Sequence, residues 1–215
     1  MRVTRIIPVC CLLSLGLMQG VANACEAPAS PAAFVINHET YGDIGTHTLT
    51  FACDGDQLIV NTEVDVEVKI LFVTAYERQA HYREVWQGNQ LIAYEARTND
   101  GGHHYLTQAK IDGDEMVIDG IEKGVRVPLE TVPSHPWNVD VIDRPTVFGQ
   151  RDGQVHKVYV EATEEEAVTI GDKTIVAKKY SVRGDLEREL LYAPDGTWLQ
   201  WRLERDGKII TITRQ

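Results

Sequence analysis

The sequence predicts an all-β fold: an antiparallel meander of successive hairpins that forms an open barrel or a strongly curled sheet. Three observations predict it. Seven Asp-Gly pairs punctuate the chain, the segments between them alternate apolar and polar residues with a period of two, and no window carries a sustained helical period with capping residues. The composition, 43% hydrophobic and 25% charged in 215 residues, is that of an ordinary globular domain.

The Asp-Gly pairs mark tight turns. Glycine lacks a Cβ and aspartate tolerates the left-handed region, so both residues can take the positive φ angles that a two-residue hairpin turn requires. The pairs are Asp54-Gly55, Asp100-Gly101, Asp112-Gly113, Asp119-Gly120, Asp152-Gly153, Asp195-Gly196 and Asp206-Gly207.

A twisted sheet of this many strands tends to close, split or be covered, and its concave face is either filled by side chains or left as a ligand cavity.

Alternation identifies strands with one buried and one solvated face. Val64, Val66, Val68 and Ile70 point one way, and Glu63, Asp65, Glu67 and Lys69 point the other. The same pattern sets Leu199, Trp201 and Leu203 against Gln200, Arg202 and Glu204.

A proline-rich crossing over residues 129–145 interrupts this pattern, because proline cannot donate to a sheet ladder. It separates a strand group over residues 33–128, with about eight strands, from one over residues 146–215, with about six. A short helical segment is expected near residues 137–142. Together these parts make a single domain over residues 25–215.

Residues 1–24 are predicted to be a secretory signal peptide. A short basic start precedes an apolar run, and Ala22-Asn23-Ala24 supplies the small-x-small pattern for cleavage near Ala24. The expected location is therefore periplasmic or secreted. No transmembrane segment is expected, and the net charge of −11 argues against nucleic acid as a partner.

Cleavage there would leave two cysteines, Cys25 and Cys53. An even pair in an oxidising compartment predicts a disulfide, closing a loop of 28 residues. The alternatives are lipid anchoring at Cys25, although Ala22 is small for a lipobox, and unpaired thiols.

Several segments together resemble a family of exported bacterial proteins, domain-of-unknown-function family 6134. They are Ile44-Gly45-Thr46-His47, the strand from Val64 to Val73 running into Tyr76, Arg83-Glu84-Val85-Trp86, Pro133-Ser134-His135-Pro136-Trp137-Asn138, and the stretch from Leu190 to Trp198. The resemblance implies an exported β-sheet domain and brings no catalytic set to carry over.

Trp137 in the crossing is the most informative single residue. Either it plugs the mouth of the curled sheet, or with His135 and Asn138 it forms a lid over a ligand site, since loops often carry function. Trp86, Trp198, Tyr82 and Tyr192 are expected to be core or rim aromatics.

No catalytic residue, metal site or cofactor is assigned. Ser134 and His135 are adjacent and lie outside any nucleophile elbow, His103-His104 lacks metal-ligand spacing, and Glu63, Asp65 and Glu67 fit a solvated strand face. A hydrolase or metal-dependent enzyme is therefore the least favoured interpretation.

The favoured function is a non-enzymatic binding or carrier protein that holds an apolar or amphiphilic small molecule in the curled sheet. The alternative is an envelope protein-interaction module that uses an exposed edge strand or the 129–145 loop, because open sheet edges invite strand addition.

Overall fold

The computed structural model describes residues 25–215, so the predicted signal peptide over residues 1–24 lies outside the described residues. The described chain is built from β-strands and one short 3₁₀ helix, Val139–Asp143. The strands are β1 (Ala32–His38), β2 (Gly42–Asp54), β3 (Gln57–Ile70), β4 (Val73–Gln87), β5 (Gln90–Asp100), β6 (His103–Asp112), β7 (Glu115–Asp119), β8 (Val125–Pro128), β9 (Val132–Pro133), β10 (Thr146–Phe148), β11 (Val155–Ala162), β12 (Glu166–Ile170), β13 (Lys173–Gly184), β14 (Arg188–Tyr192), β15 (Trp198–Arg205) and β16 (Lys208–Arg214).

All sixteen strands belong to one curled sheet, which confirms the predicted fold class. Along the sheet the order is β8-β7-β6-β5-β4-β3-β2-β1-β16-β15-β14-β13-β11-β10-β9, and β12 pairs with β13 beside this path. The pairing is antiparallel throughout except between β9 and β10. Successive hairpins make both halves, and pairing of β1 with β16 (Phe34 opposite Arg214) joins them.

The sheet curls until its two edges approach each other without closing into a barrel. The edge strands β8 and β9 are consecutive in the chain, and the amide of Thr131 donates to the carbonyl of Pro128 between them. Farther along the same seam, the Ile121 amide donates to the Asp152 carbonyl. A Cβ on Gly120 would collide with that carbonyl, so the approach requires glycine there.

Three local expectations need correction. The crossing contains strand β9 and continues into β10, so it takes part in the sheet, and seven strands follow residue 145 rather than about six. The helical segment is a 3₁₀ turn that begins two residues later than expected. Ile70 does not share the burial of Val64, Val66 and Val68 and is 46% exposed, because β3 runs past the edge of β2.

Strand β15 is covered on both faces, contrary to the expectation of one wet face. The β12–β13 hairpin folds over the outside of the sheet, where Val168 packs with Ala177, Leu191 and Leu199. A register shift between β14 and β15 places Leu199 and Gln200 on this same outer side, where Gln200 lies opposite Leu191 and its side-chain amide donates to Thr213 Oγ1.

Large side chains fill the concave face. Trp86, Trp198, Tyr82 and Tyr192 are all buried, as predicted. Phe34 stacks on Trp198 with ring centroids 3.9 Å apart, and Tyr94 meets Phe148 edge to face.

Candidate functional site

A buried chain of ionisable side chains lies inside the curl. Glu84 on β4, His135 in the crossing and His47 on β2 are each almost fully shielded from solvent. Nδ1 of His135 lies 3.2 Å from Oε1 of Glu84, and Nε2 of His135 lies 3.1 Å from Nε2 of His47. The three side chains thus form one continuous hydrogen-bonded line between segments that are distant in the sequence, and we call it the Glu84 line.

Two tryptophans complete the hydrogen bonding of Glu84. The indole N–H groups of Trp86 and Trp137 donate to Oε2 at 2.8 and 2.9 Å. An indole N–H can only donate, so Oε2 is an acceptor of two bonds while Oε1 faces His135. A carboxylate oxygen can only accept, so His135 directs the N–H of Nδ1 at Oε1 of Glu84, and the contact between His135 and His47 joins two ring nitrogens, one of which donates to the other.

The surroundings hold His47 neutral. Burial lowers the pKa of His47 well below its usual range, and the nearby His135 and Arg78 lower it further. The ring of His47 lies beside the stacked pair of Phe34 and Trp198, at centroid distances of 5.9 and 5.5 Å.

This line fixes the crossing into one mouth of the curled sheet. Trp137 packs edge-on against Phe51 and Trp86, and the phenol of Tyr192 donates to the carbonyl of Pro136. Asn138 does not join the cluster, because its side chain caps the 3₁₀ helix by accepting from the Asp140 amide. Of the three predicted ligand-binding residues, His135 and Trp137 therefore converge on Glu84, and Asn138 lies apart.

Polar side chains also tie down the opposite mouth. Asp100 accepts from the phenol of Tyr76 and, at 2.7 Å, from the guanidinium of Arg151. The segment that carries Arg151 is bonded inward, since Thr107 and Tyr94 donate to the carbonyls of Arg151 and Gln150. Burial, with Asp100 alongside, raises the pKa of Tyr76 to about 12, so this phenol stays a proton donor at neutral pH.

The third feature is an apolar hairpin tip. Ile70 pairs with Val73 at the end of β3 and β4, and Leu71 and Phe72 make the two-residue turn. The exposed fractions are 87% for Leu71, 101% for Phe72 and 69% for Val73. We call residues 67–77 the finger, because β2 pairs with β3 only as far as Val66 and β5 pairs with β4 only from Arg78.

The finger is strained at its turn. Leu71 and Phe72 have φ angles of 48° and 68°, a region that residues with a Cβ and a bulky side chain rarely occupy. At the other two-residue hairpin turns of the sheet, glycine supplies a positive φ: Gly55, Gly88, Gly101, Gly113, Gly171 and Gly207.

The remaining predicted sites are placed individually. Cys25 and Cys53 form the predicted disulfide, with Cα atoms 5.8 Å apart. His103 and His104 are exposed at the β5–β6 turn, and Glu63, Asp65 and Glu67 line a solvated face. Within residues 25–215, no group of three His, Cys, Asp or Glu side chains is arranged to hold a metal ion.

Two surface cavities open outside the concave face. One, of about 400 Å³, lies on the outer face of β4, β5 and β6, where Gln79, His81, Arg97 and His104 line it. The other, of about 360 Å³, lies along the seam between the sheet edges, beside Ile121, Val125 and His156. Both are rimmed by polar side chains.

Sequence reasoning missed Glu84, His47 and the finger. The signal for Glu84 was an acidic residue in register with the inward-facing Tyr82 and Trp86, and His47 likewise stands in register with Leu49. The signal for the finger was an apolar run, Ile70 to Val73, at a hairpin turn without glycine.

Among the described residues, no helix is long and apolar enough to cross a membrane. No curated protein matches the chain. Among solved structures, the chain is similar to the crystal structure of a β-barrel-like protein of domain-of-unknown-function family DUF1849 from Brucella abortus, with a TM-score of 0.56 and 9% identity over 88% of this chain and 98% of that one. That likeness supports the barrel-like fold. The profile of the domain of unknown function DUF6134 matches residues 42–215, and the chain therefore belongs to the DUF6134 family.

Proposed function

We propose that this protein is an exported, non-enzymatic docking module, in which a rigid curled sheet presents the finger to an apolar acceptor. The observation that carries the proposal is the near-complete exposure of Leu71 and Phe72 at a strained turn. Apolar side chains held outward at a conformational cost favour a partner that covers them, since backbone strain concentrates at functional positions.

The other interpretations find less support in the geometry. A carrier needs room for its ligand, and the concave face is occupied by Tyr82, Tyr94, Trp86 and Trp198 around the Glu84 line. An enzyme needs its reacting groups to meet substrate, whereas Glu84, His47 and His135, which itself belongs to the crossing, are all buried from solvent.

Docking through an edge strand or the 129–145 loop is also weakly supported. Edge strands β8 and β9 have four and two residues, and each includes a proline that offers no amide donor. Residues 131–136 of the loop are buried against the sheet, so they offer little surface to a partner.

The double substitution Leu71→Asn/Phe72→Gly tests the proposal. It installs the preferred residues of this turn type and removes both apolar side chains, so the fold is kept while the docking surface is lost. In the cells that make the protein, we expect the wild type to be recovered with membranes or in a larger assembly, and the double variant to be recovered as the isolated chain.

The matched control is Leu106→Asn, which removes an exposed leucine from the outer face of β6, away from the finger. This variant should fractionate as the wild type does. Identical fractionation of the wild type and the double variant would overturn the proposal.

A further inference from the structure

We infer that the acceptor of the finger is a lipid bilayer, into which Ile70, Leu71, Phe72 and Val73 insert at the interface. This inference rests on the docking function proposed above and specifies its partner. It is carried by the reach of the finger, the distribution of apolar side chains at its tip and the charge pattern behind that tip.

The reach fits interfacial insertion. Ile70 lies four residues beyond Val66, the last residue of β3 paired with β2, so at about 3.4 Å per residue the tip stands roughly 14 Å beyond that pairing. The apolar end, two residue pairs deep, measures about 7 Å by the same rise, within the depth of about 5–10 Å to which interfacial segments bury their apolar face.

The apolar side chains surround the tip. The two turn residues and Val73 are each more than two-thirds exposed, so none of them leans on the body of the protein. A protein pocket would be expected to select one face of a hairpin, whereas the hydrocarbon of a bilayer contacts every side of an inserted tip. The tip is therefore shaped for an acceptor that is apolar and fluid.

The charge pattern is compatible with a membrane surface. Although the chain carries a net charge of −11, residues 68–76 contain no carboxylate and one cation, Lys69. The long stem of Lys69 lets its ammonium reach the headgroups while the apolar tip lies deeper. Glu67 and Glu77 face each other at the base of the finger, outside the inserted part.

Neighbouring turns of the same rim add apolar surface. Tyr41, in the β1–β2 connection, and Ile209, at the start of β16, are 49% and 43% exposed. The amide of Glu39 donates to the Ile209 carbonyl, so these two turns are joined beside the finger. Tyrosine suits the membrane–water interface because one end of its ring is apolar and the other is polar.

Two cations of this rim, one at the tip and one in the neighbouring turn, are paired within the protein. Lys69 lies 2.7 Å from Glu67 and Lys208 lies 3.6 Å from Glu39. Binding is therefore apolar in origin, and we expect it on vesicles of pure phosphatidylcholine, without a requirement for anionic lipid and with little dependence on salt.

Flotation with phosphatidylcholine vesicles tests the inference. The wild-type chain should float with the vesicles, Leu71→Asn/Phe72→Gly should weaken the partition at least about tenfold, and Leu106→Asn should leave it unchanged. A second readout is quenching by lipids brominated on the acyl chains, which should quench the indole introduced by Phe72→Trp and spare the one introduced by Leu106→Trp.

Each failure has its own meaning. If wild-type protein stays out of the phosphatidylcholine vesicles, or if the indole at position 72 escapes the bromines, the lipid inference is wrong. If finger-dependent fractionation in cells persists in that case, the docking function stands with a protein acceptor. Binding that appears only on anionic vesicles and disappears with salt would also contradict the inference, because it would be electrostatic.

Discussion

Removing the carboxylate of Glu84 should be among the most damaging single changes in the protein, and its cost follows from three donors. Trp86, Trp137 and His135 all direct N–H groups at this side chain. Glu84→Leu fills similar space and strands all three donors in a buried site. At about 1–3 kcal/mol for each unsatisfied buried donor, the expected loss is about 3–9 kcal/mol, comparable with the whole stability of about 5–15 kcal/mol of a typical domain.

The informative control is Glu84→Gln. Its amide oxygen still accepts from both indoles, and its NH₂ group donates to Nδ1 of His135 once that ring changes tautomer. His135 then donates from Nε2 to His47, whose own proton moves to Nδ1. The network stays almost fully bonded, so the expected loss is only about 1–2 kcal/mol, for charge-assisted bonds replaced by neutral ones.

Urea unfolding followed by tryptophan fluorescence measures both losses, and comparable m-values allow the free energies to be compared. If Glu84→Leu proves too unstable to purify, Trp137→Phe removes one donor and leaves the carboxylate with two, so a loss of about 1–3 kcal/mol is expected there. The reasoning is refuted if Glu84→Leu lies within about 1 kcal/mol of the wild type, or if Gln costs as much as Leu at this position.

Three further predictions concern stability. The unfolding free energy should be highest above pH ~6.5 and should decrease below that pH by up to about 1.4 kcal/mol per pH unit. The reason is that the unfolded chain protonates His47 at its ordinary pKa, whereas the folded chain does not. His47→Gln should flatten this slope in urea titrations between pH 5 and 7. Cys53→Ser should lower the unfolding free energy by about 3–4 kcal/mol, the chain-entropy value for a 28-residue loop, as measured by urea unfolding. Leu71→Asn/Phe72→Gly should raise the melting temperature, because it relieves about 1–2 kcal/mol of strain for each left-handed residue.

Each of these predictions has its contrary outcome. An unchanged pH slope in His47→Gln would assign the slope to other groups, foremost His156, whose pKa burial also lowers. Equal effects of reductant on the unfolding free energies of the wild type and Cys53→Ser would show that the disulfide does not stabilise the fold. A lower melting temperature for the tip variant would show that Leu71 and Phe72 support the fold.

Local chemistry predicted most of the fold. The Asp-Gly pairs and the two-residue periodicity of segments such as Val64 to Val68 are properties of adjacent residues, and they were sufficient to place the strands and the curl. The prolines of the crossing likewise indicated where the meander breaks, and Trp137 indicated that the crossing packs inward. These signals need no knowledge of which strands meet.

The Glu84 line could not be predicted in the same way, because it depends on long-range pairing. His135 lies 51 residues from Glu84 and 88 from His47 along the chain. Which of many acidic and histidine residues converge is decided only when β2, β4 and the crossing enclose the same space. For Ile70 the pattern was right, and the reach of β3 past its neighbour decided the exposure.

The strongest physical argument for the finger is that two costs coincide on the same two residues. Leu71 and Phe72 lose conformational energy in the left-handed region and also expose apolar surface to water. A turn of the type that the chain uses at Gly55 or Gly113 would remove both the backbone strain and the exposed apolar surface. The body is held without this tip, by the bonds to Glu84 at one mouth and by the bonds of Asp100 to Tyr76 and Arg151 at the other, so the proposed acceptor is what would offset the two costs.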